Sequence, residues 1–358
     1  MSFSENEAIS RLPFSSDYME GCHPAVLDRL VRTNLEHTPG YGTDNYTASA
    51  KDKIRRAADC PDAGVFFLVG GTQTNSTVIR SLLRLWEGVL AADTGHIATH
   101  EAGAIEAGGH KVLTLPHSFG KISAEAIDRY VTGFYADGNH EHMVAPGMVY
   151  ISQPTEFGTL YSLEELTAIS EVCRRHRLPL YVDGARLAYA LSSPQNDVTL
   201  ADLARLTDVF YIGGTKCGAM FGEAVVIPDP SILPHFFTLI KQSGALLAKG
   251  RLLGLQFDAL FTDGLYESIG RDAVGYAARI QDAVRECGWP LYLESPTNQI
   301  FPILTDEELA CLEKYAEVSF WEKADAEHTV IRIATCWATT EEDVDKLLEV
   351  LKTIGKQG

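Results

Sequence analysis

The sequence predicts an α/β protein in which a largely parallel β-sheet is covered by helices, with a smaller α+β unit after it. Short apolar runs end in small or polar residues and alternate with helical patterns between residues 65 and 214. The pattern changes after residue 250, where a long helical region precedes shorter strands. The chain has 358 residues, of which 46% are hydrophobic, and this length corresponds to about two domains.

Residues 1–42 are predicted to form a polar arm and one amphipathic helix. The helix begins near Pro24, because proline is favoured in a first helical turn, and Gly40-Tyr41-Gly42 follows its end. Four apolar side chains recur at helical spacing and share one face: Leu27, Leu30, Val31 and Leu35.

Residues 43–250 are predicted to form the large domain, in which a short helix over 48–58 precedes the βα units. The predicted strands are 65–69, 89–92, 112–115, 148–151, 180–182 and 209–212. Ligands of such sheets bind beyond the carboxyl ends of the strands, so the residues after each run are the site candidates. Residues 251–358 are predicted to form the small domain, whose strands and helices are expected near 299–304, 329–335, 306–315 and 340–354.

Composition and charge exclude several classes of protein. The net charge of −18 argues against nonspecific nucleic-acid binding, which needs cations to neutralise phosphates. No run approaches the roughly 18 apolar residues of a membrane span, and the N-terminus lacks a signal-peptide pattern. The seven cysteines form no CxxC pair, which argues against structural zinc or a disulfide framework and favours the cytoplasm. We expect His117, His140 and His142 to be solvated rather than metal ligands.

Asp183 and Lys216 follow successive predicted strands and are the strongest site candidates. Alone, Asp183 fits a helix N-cap and Lys216 fits a solvated loop residue. Both nevertheless come at the carboxyl ends of strands, where one cofactor could contact them together. Pyridoxal phosphate has matching needs, since its aldehyde bonds a lysine amine and its ring nitrogen needs an acidic partner.

Two further features fit the same cofactor. The segment GGTQTN, residues 70–75, lies between a strand and a helix, and a helix N-terminus binds phosphate through its backbone N–H groups. His96 follows the second strand and can stack on a ring and exchange protons. Each feature is common in other settings, so the hypothesis depends on the joint pattern.

In order, GGTQTN, GHIATHEAG, VDGAR and GGTKCG resemble the fold-type I pyridoxal-phosphate enzymes. Within them the chain resembles the L-threonine aldolase and phenylserine aldolase family, also called β-eliminating lyases. Segments 15–17, 41–44 and 331–333 match as well, and the similarity covers nearly the whole chain. The resemblance implies an aspartate-aminotransferase-like large domain with a mainly parallel, seven-stranded sheet. It also implies a homo-oligomer, a dimer or a tetramer, whose active sites are shared between subunits.

The resemblance implies a role for each site residue. The implied cofactor contacts are Lys216 in the Schiff base, Asp183 on the pyridinium nitrogen, Gly71 and Thr72 on the phosphate, Asn75 closing the phosphate loop, His96 stacked on the ring and Arg186 near the ring or the substrate carboxylate. Ser16 and Arg332 would bind the α-carboxylate, for which the planar fork of arginine is well suited. Tyr41 and Arg251 would reach a site across a subunit interface.

One position departs from the family pattern. Threonine aldolases usually carry a histidine after the fourth strand, where it contacts the substrate hydroxyl, and Thr155 stands at that place here. Phenylserine-type members are closer at this point. His96 is the first candidate for the base, and Glu156 or a water molecule is the second.

The predicted reaction is cleavage of the Cα–Cβ bond of a β-hydroxy-α-amino acid to glycine and an aldehyde. L-threonine, L-allo-threonine and phenylserine are the candidate substrates. A β-elimination lyase, an aminotransferase and a catalytically silent protein of the same fold are the alternatives. A dinucleotide-binding protein is disfavoured, because the Gly-Gly turn lacks the GxGxxG pattern.

Overall fold

A seven-stranded sheet lies at the centre of the large unit in a computed structural model that describes residues 11–355. The first ten residues of the predicted arm and residues 356–358 lie outside the described residues. The strands of all sheets within the described residues are β1 (Leu12–Pro13), β2 (Gly64–Leu68), β3 (Glu87–Ala92), β4 (Val112–Leu115), β5 (Ala145–Ser152), β6 (Leu180–Asp183), β7 (Val209–Gly213), β8 (Glu223–Ile227), β9 (Gln299–Ile300), β10 (Ile303–Thr305), β11 (Ala316–Glu317), β12 (Ser319–Lys323) and β13 (His328–Ala334).

Helices cover the sheet and connect its strands. The α-helices are α1 (Pro24–Thr33), α2 (Asn45–Ala57), α3 (Gly71–Leu82), α4 (His96–Thr99), α5 (Ala104–Ala107), α6 (Ala124–Ala136), α7 (Leu163–His176), α8 (Leu187–Ser192), α9 (Leu200–Leu206), α10 (Phe236–Gln242), α11 (Arg251–Leu260), α12 (Leu265–Glu286), α13 (Asp306–Leu312) and α14 (Glu341–Gly355). Short 3₁₀ helices are formed by His140–His142 and Pro230–Ile232.

The strand order of the large sheet is β2-β8-β7-β6-β5-β3-β4. The pairs β7–β6, β6–β5, β5–β3 and β3–β4 are parallel, whereas β8 is antiparallel to both of its neighbours. Strands β6 and β7 are buried along their whole length, as their continuous apolar runs require. The predicted fold class is therefore confirmed. Strand β8 is the one strand of this sheet that the sequence pattern did not predict.

A smaller, antiparallel sheet lies in the C-terminal part, with the order β10-β13-β12 and β9 on the free end of β13. The single strand predicted over 299–304 is broken at Pro302, because proline lacks the N–H group that a ladder needs. Strand β1 pairs in parallel with β11, and Phe14 is fully buried in the core of this part. The N-terminal segment therefore runs beside the C-terminal unit and carries Ser16 and Asp17 to the end of the large sheet.

Two surface features bear on function. Two apolar side chains of α1, Leu27 and Val31, are exposed, as is Leu35 just after the helix, whereas Val26 is buried and Leu30 packs against the core. Within residues 11–355, no helix combines the length and apolarity that crossing a bilayer demands. That part of the chain holds no cluster of metal-ligating side chains, and its cysteines are unpaired.

Candidate active site

Asp183 and Lys216 lie at the same edge of the sheet. Asp183 is the last residue of β6, and Lys216 lies in the turn after the neighbouring parallel strand β7. Both line one cavity of about 300 Å³, together with Gly71 and Thr72. The structure thus brings together residues that the strand-end argument placed on one side of the sheet.

Asp183 is a buried anion held by several donors. Its Oδ2 accepts hydrogen bonds from Tyr150 Oη at 2.6 Å and from Asn75 Nδ2 at 3.1 Å. Burial by itself would raise the pKa of Asp183, but His96 and the hydroxyl groups of Tyr150 and Tyr211 lower it below its usual value. The carboxylate therefore stays charged and can hold a proton on a facing cationic ring.

The first turn of α3 is open toward the same cavity. Gly70 precedes the helix and offers no side chain to cap its free N–H groups. A methyl group at Gly71 would come 3.4 Å from the hydroxyl of Tyr211 and would narrow the cavity. Free N–H groups and the positive end of a twelve-residue helix make this turn suitable for a phosphate.

The side chain of Asn75 is bonded to other residues than the family resemblance implies, which placed it at the phosphate loop. Its amide nitrogen donates to Asp183 and to Glu101 Oε1 at 2.7 Å, and its oxygen accepts from Tyr181 at 2.8 Å. The amide is therefore saturated inside the protein and does not close the phosphate loop. Asn75 orients the acid that the cofactor ring would meet.

His96 begins α4, and its Nδ1 lies 2.7 Å from Oε1 of the buried Glu101. Burial lowers the pKa of His96, but the hydrogen bond to the Glu101 carboxylate and the negative charges of Glu156 and Asp183 together outweigh burial, so the net change is upward. Glu101 was not among the predicted site residues. Its spacing of five residues from His96 in GHIATHEAG is a weak signal, because a turn separates the two in the structure.

Arg186 is paired with an acid from the distant N-terminal segment. Its Nε and Nη2 donate to the two carboxylate oxygens of Asp17 at 2.6 and 3.0 Å, and the side chains are 5% and 0% exposed. Asn298 also donates to Asp17, at 3.0 Å. Burial would raise the pKa of Asp17, but Arg186 holds it at about 2. Arg186 lines a neighbouring cleft of about 570 Å³ that also contains Lys216.

Arg332, on β13, faces the same cleft without an acidic partner in residues 11–355. Its Nη2 donates to the carbonyl of Ser15 at 3.1 Å, whereas its buried Nε has no hydrogen-bond partner. The buried hydroxyl of Ser16 is also unpaired. Unsatisfied donors beside an uncompensated guanidinium can accommodate a substrate carboxylate.

Thr155, which the family resemblance makes a candidate for substrate binding, is not among the residues that line the cleft, and its contact with a substrate stays a prediction. It is buried, and its hydroxyl lies 2.7 Å from Thr159 Oγ1 and 3.3 Å from the carbonyl of Phe119. Glu156, the next residue, lines both cavities instead. The alternation of side chains in the turn after β5 therefore places Thr155 inward and Glu156 toward Lys216.

Tyr41 and Arg251 do not lie at the Lys216 cleft of their own subunit. Tyr41 is exposed beside a separate cavity of about 270 Å³, and Arg251 donates to the carbonyl of Thr33 at 2.9 Å. Their role in a partner's site stays a prediction.

The sequence matches the family model described as beta-eliminating lyase over residues 13–306. The chain belongs to the beta-eliminating lyase family. Lyases of this family depend on pyridoxal phosphate. The predicted family is therefore confirmed.

Similar proteins of the beta-eliminating lyase family include low specificity L-threonine aldolases. That of a Pseudomonas strain is 34% identical over 306 residues, or 84% of this chain and 86% of the relative. That of Pseudomonas aeruginosa is 29% identical over 302 residues, with the same coverages. Among solved structures, a threonine aldolase of Leishmania major has a TM-score of 0.93 at 45% identity, covering 96% of this chain and 99% of that chain. An aspartate aminotransferase of Thermus thermophilus shares the fold, with a TM-score of 0.70 at 15% identity, covering 96% and 91%.

Proposed function

We propose that this chain is a pyridoxal-phosphate-dependent aldolase that cleaves a β-hydroxy-α-amino acid to glycine and an aldehyde. The observation that carries the proposal is the single cavity shared by Lys216, Asp183 and the open first turn of α3. The similarity to low specificity L-threonine aldolases supports substrates of the L-threonine, L-allo-threonine or phenylserine type.

The residues present fit the cofactor. Lys216 provides a primary amine with no carboxylate within 4.0 Å among the described residues. Asp183 would hold the proton on the pyridine nitrogen, and the N–H groups of Gly71 and Thr72 would bind the phosphate. When bound, pyridoxal phosphate supplies an electron-withdrawing ring that accepts the electron pair of a bond broken at Cα.

The substrate would be oriented from the other side of the cleft. Arg332 and Ser16 would hold the α-carboxylate, which fixes the rotation about Cα and so selects the bond that breaks. Orientation of this kind contributes up to about 7–11 kcal/mol in model systems. His96, held at Nδ1 by Glu101, would keep its ring in place against the cofactor.

A homo-oligomer with shared sites is also proposed. The exposed apolar side chains Leu27 and Val31 of α1 support it, because adjacent exposed apolar residues are often covered by another protein surface. The position of Tyr41 and Arg251 away from their own cleft supports it as well. We further propose the division into residues 1–42, 43–250 and 251–358. The unpaired cysteines support a cytoplasmic location.

The products distinguish the proposal from its alternatives. The purified protein, loaded with pyridoxal phosphate, is incubated with L-threonine, L-allo-threonine and phenylserine. We expect glycine and the matching aldehyde in equal amounts. Ammonia with a keto acid would instead indicate a β-elimination lyase, and no product with a bound cofactor would indicate a silent member of the family.

A further inference from the structure

Glu156 lies in the turn after β5 and faces the reacting region. It lines both the cavity of about 300 Å³ and the cleft of about 570 Å³, and Lys216 and His96 line both as well. Its side chain is 15% exposed. A carboxylate is therefore present where the two compartments meet, within the part of the site that contains the cofactor-binding lysine.

The residues around Glu156 fix its direction. Thr155 is anchored inward by Phe119 and Thr159, as described above. Phe157 is buried and packs against the rings of His117 and Trp321, at centroid distances of 5.5 and 5.3 Å.

The next residue and the backbone complete this anchoring. Gly158 has a φ of +72°, and a side chain there would come 2.2 Å from Ser295 Oγ. Gln299 donates to the carbonyl of Glu156 at 3.3 Å. With both flanking positions held, the side chain of Glu156 is directed into the cleft.

The carboxylate of Glu156 accepts no hydrogen bond from residues 11–355. Its nearest cation is Arg186, whose Nη1 lies 3.9 Å away, beyond hydrogen-bond distance. Arg186 is already neutralised by its two bonds to Asp17. Neutralising Arg186 therefore does not account for Glu156, and its carboxylate is free to accept a hydrogen bond from a substrate in the cleft.

We propose that Glu156 accepts the proton of the substrate's β-hydroxyl group during cleavage. The O–H bond breaks, and its electron pair forms the carbonyl bond of the aldehyde as Cα–Cβ breaks. The Cα–Cβ electron pair stays with the glycine fragment, and Cα later takes up one proton. Glu156 is then the base. It replaces the histidine that threonine aldolases usually carry at the position of Thr155. This inference rests on the proposed function.

His96 is less suited to this role. Its Nδ1 is occupied by Glu101, and that bond favours the protonated ring. A ring held toward its protonated form is a weaker candidate for the base than a carboxylate that accepts no hydrogen bond from the described residues. We therefore assign His96 to the cofactor ring and Glu156 to the β-hydroxyl group of the substrate.

The test compares two reactions of one enzyme. Cleavage of phenylserine or threonine needs a base for the hydroxyl, whereas exchange of the glycine Cα hydrogen in D₂O involves no hydroxyl. Both are measured, by aldehyde release and by proton NMR, in Glu156→Gln and in the control Glu322→Gln, which removes an exposed carboxylate of the same cleft. The visible spectrum of the bound cofactor reports that each variant is loaded.

We expect Glu156→Gln to lose about 10²–10⁴-fold in cleavage while exchange stays within a few-fold of the wild type. Glu322→Gln should change neither reaction. Equal loss of both reactions, loss of the cofactor spectrum, or unchanged cleavage would overturn the assignment. If the wild type itself releases no aldehyde, the proposed function fails, and this is seen before any variant is compared.

Discussion

The side-chain nitrogen of Asn75 donates to Asp183 at 3.1 Å and to Glu101 at 2.7 Å. One amide thus joins the acid at the end of β6 to the acid that holds His96. Because the amide has only two N–H groups, both are used, and Tyr181 fixes the oxygen. A single buried side chain thus links His96, through Glu101, to Asp183.

Asn75→Ala should weaken both folding and cofactor binding. The change removes a donor from two buried carboxylates, and we expect a loss of about 1–3 kcal/mol in unfolding free energy. Urea unfolding and retention of pyridoxal phosphate on dialysis measure the two effects. Asn139→Ala, at an exposed position, is the control. Equal stability and retention in the two variants would show that the amide link does not matter.

Asp17→Asn should remove a pH-dependent contribution to stability. The pKa of Asp17 is about 2 in the folded chain, below its usual 3.8, because the charges of Arg186 and Lys216 and the hydrogen bonds from Arg186 and Asn298 together outweigh burial. Because the pKa of Asp17 is lower in the folded than in the unfolded chain, its ionised carboxylate adds to the free energy of unfolding. This contribution is complete above about pH 4 and is lost as the pH falls toward 2.

Urea unfolding between pH 7 and pH 3 checks this prediction. Breaking a buried pair typically costs about 3–5 kcal/mol, and we expect the difference between wild type and Asp17→Asn to shrink at the acid end. Asp28→Asn, which removes an exposed partner of Arg32, should change stability little at any pH. A difference that is constant over the range contradicts the pairing.

Glu101→Gln should lower the pKa of His96. Burial lowers that pKa, whereas the hydrogen bond to Glu101, with the charges of Glu156 and Asp183, raises it, and the net pKa lies above 6.5. Because the pKa of His96 is higher in the folded than in the unfolded chain, its protonated ring adds to the free energy of unfolding. This contribution is complete below about pH 6.5 and is lost as the pH rises through the folded pKa. NMR titration of the His96 ring measures the shift. An unchanged midpoint in Glu101→Gln would mean that another group protonates the ring.

Thr155→Val should affect stability and leave substrate binding unchanged. The hydroxyl of Thr155 bonds only to protein groups, and losing it should cost about 1 kcal/mol. Thermal unfolding and the KM for phenylserine measure the two effects. A large rise in KM at unchanged stability would restore the substrate contact that the family pattern suggested.

The sequence predicted what depends on local pattern. Continuous apolar runs fixed the parallel strands, and the strand-end rule then located Asp183 and Lys216. Strand β8 was not separated as a strand, because no helix precedes it and it runs antiparallel between β2 and β7. Helix α1 spans Pro24–Thr33 and begins where it was predicted, but the pattern could not show that Leu27 and Val31 are exposed while Leu30 packs against the core.

Contacts between residues far apart in the chain could not be predicted from the sequence. Asp17 meets Arg186 across 169 positions of the chain, and no local spacing signals this pair. Glu101 was missed because it lies past the end of a one-turn helix. The choice between Thr155 and Glu156 depends on which side of a turn each faces, and a shift of one residue reverses it.

The most direct test is the covalent link between Lys216 and the cofactor. The protein loaded with pyridoxal phosphate is reduced with borohydride, digested and analysed by mass spectrometry. We predict one pyridoxyl adduct per chain, on the peptide that contains Lys216, and no adduct in Lys216→Ala. An adduct on another lysine, or equal labelling of Lys216→Ala, would contradict the assignment of Lys216 as the cofactor-binding residue.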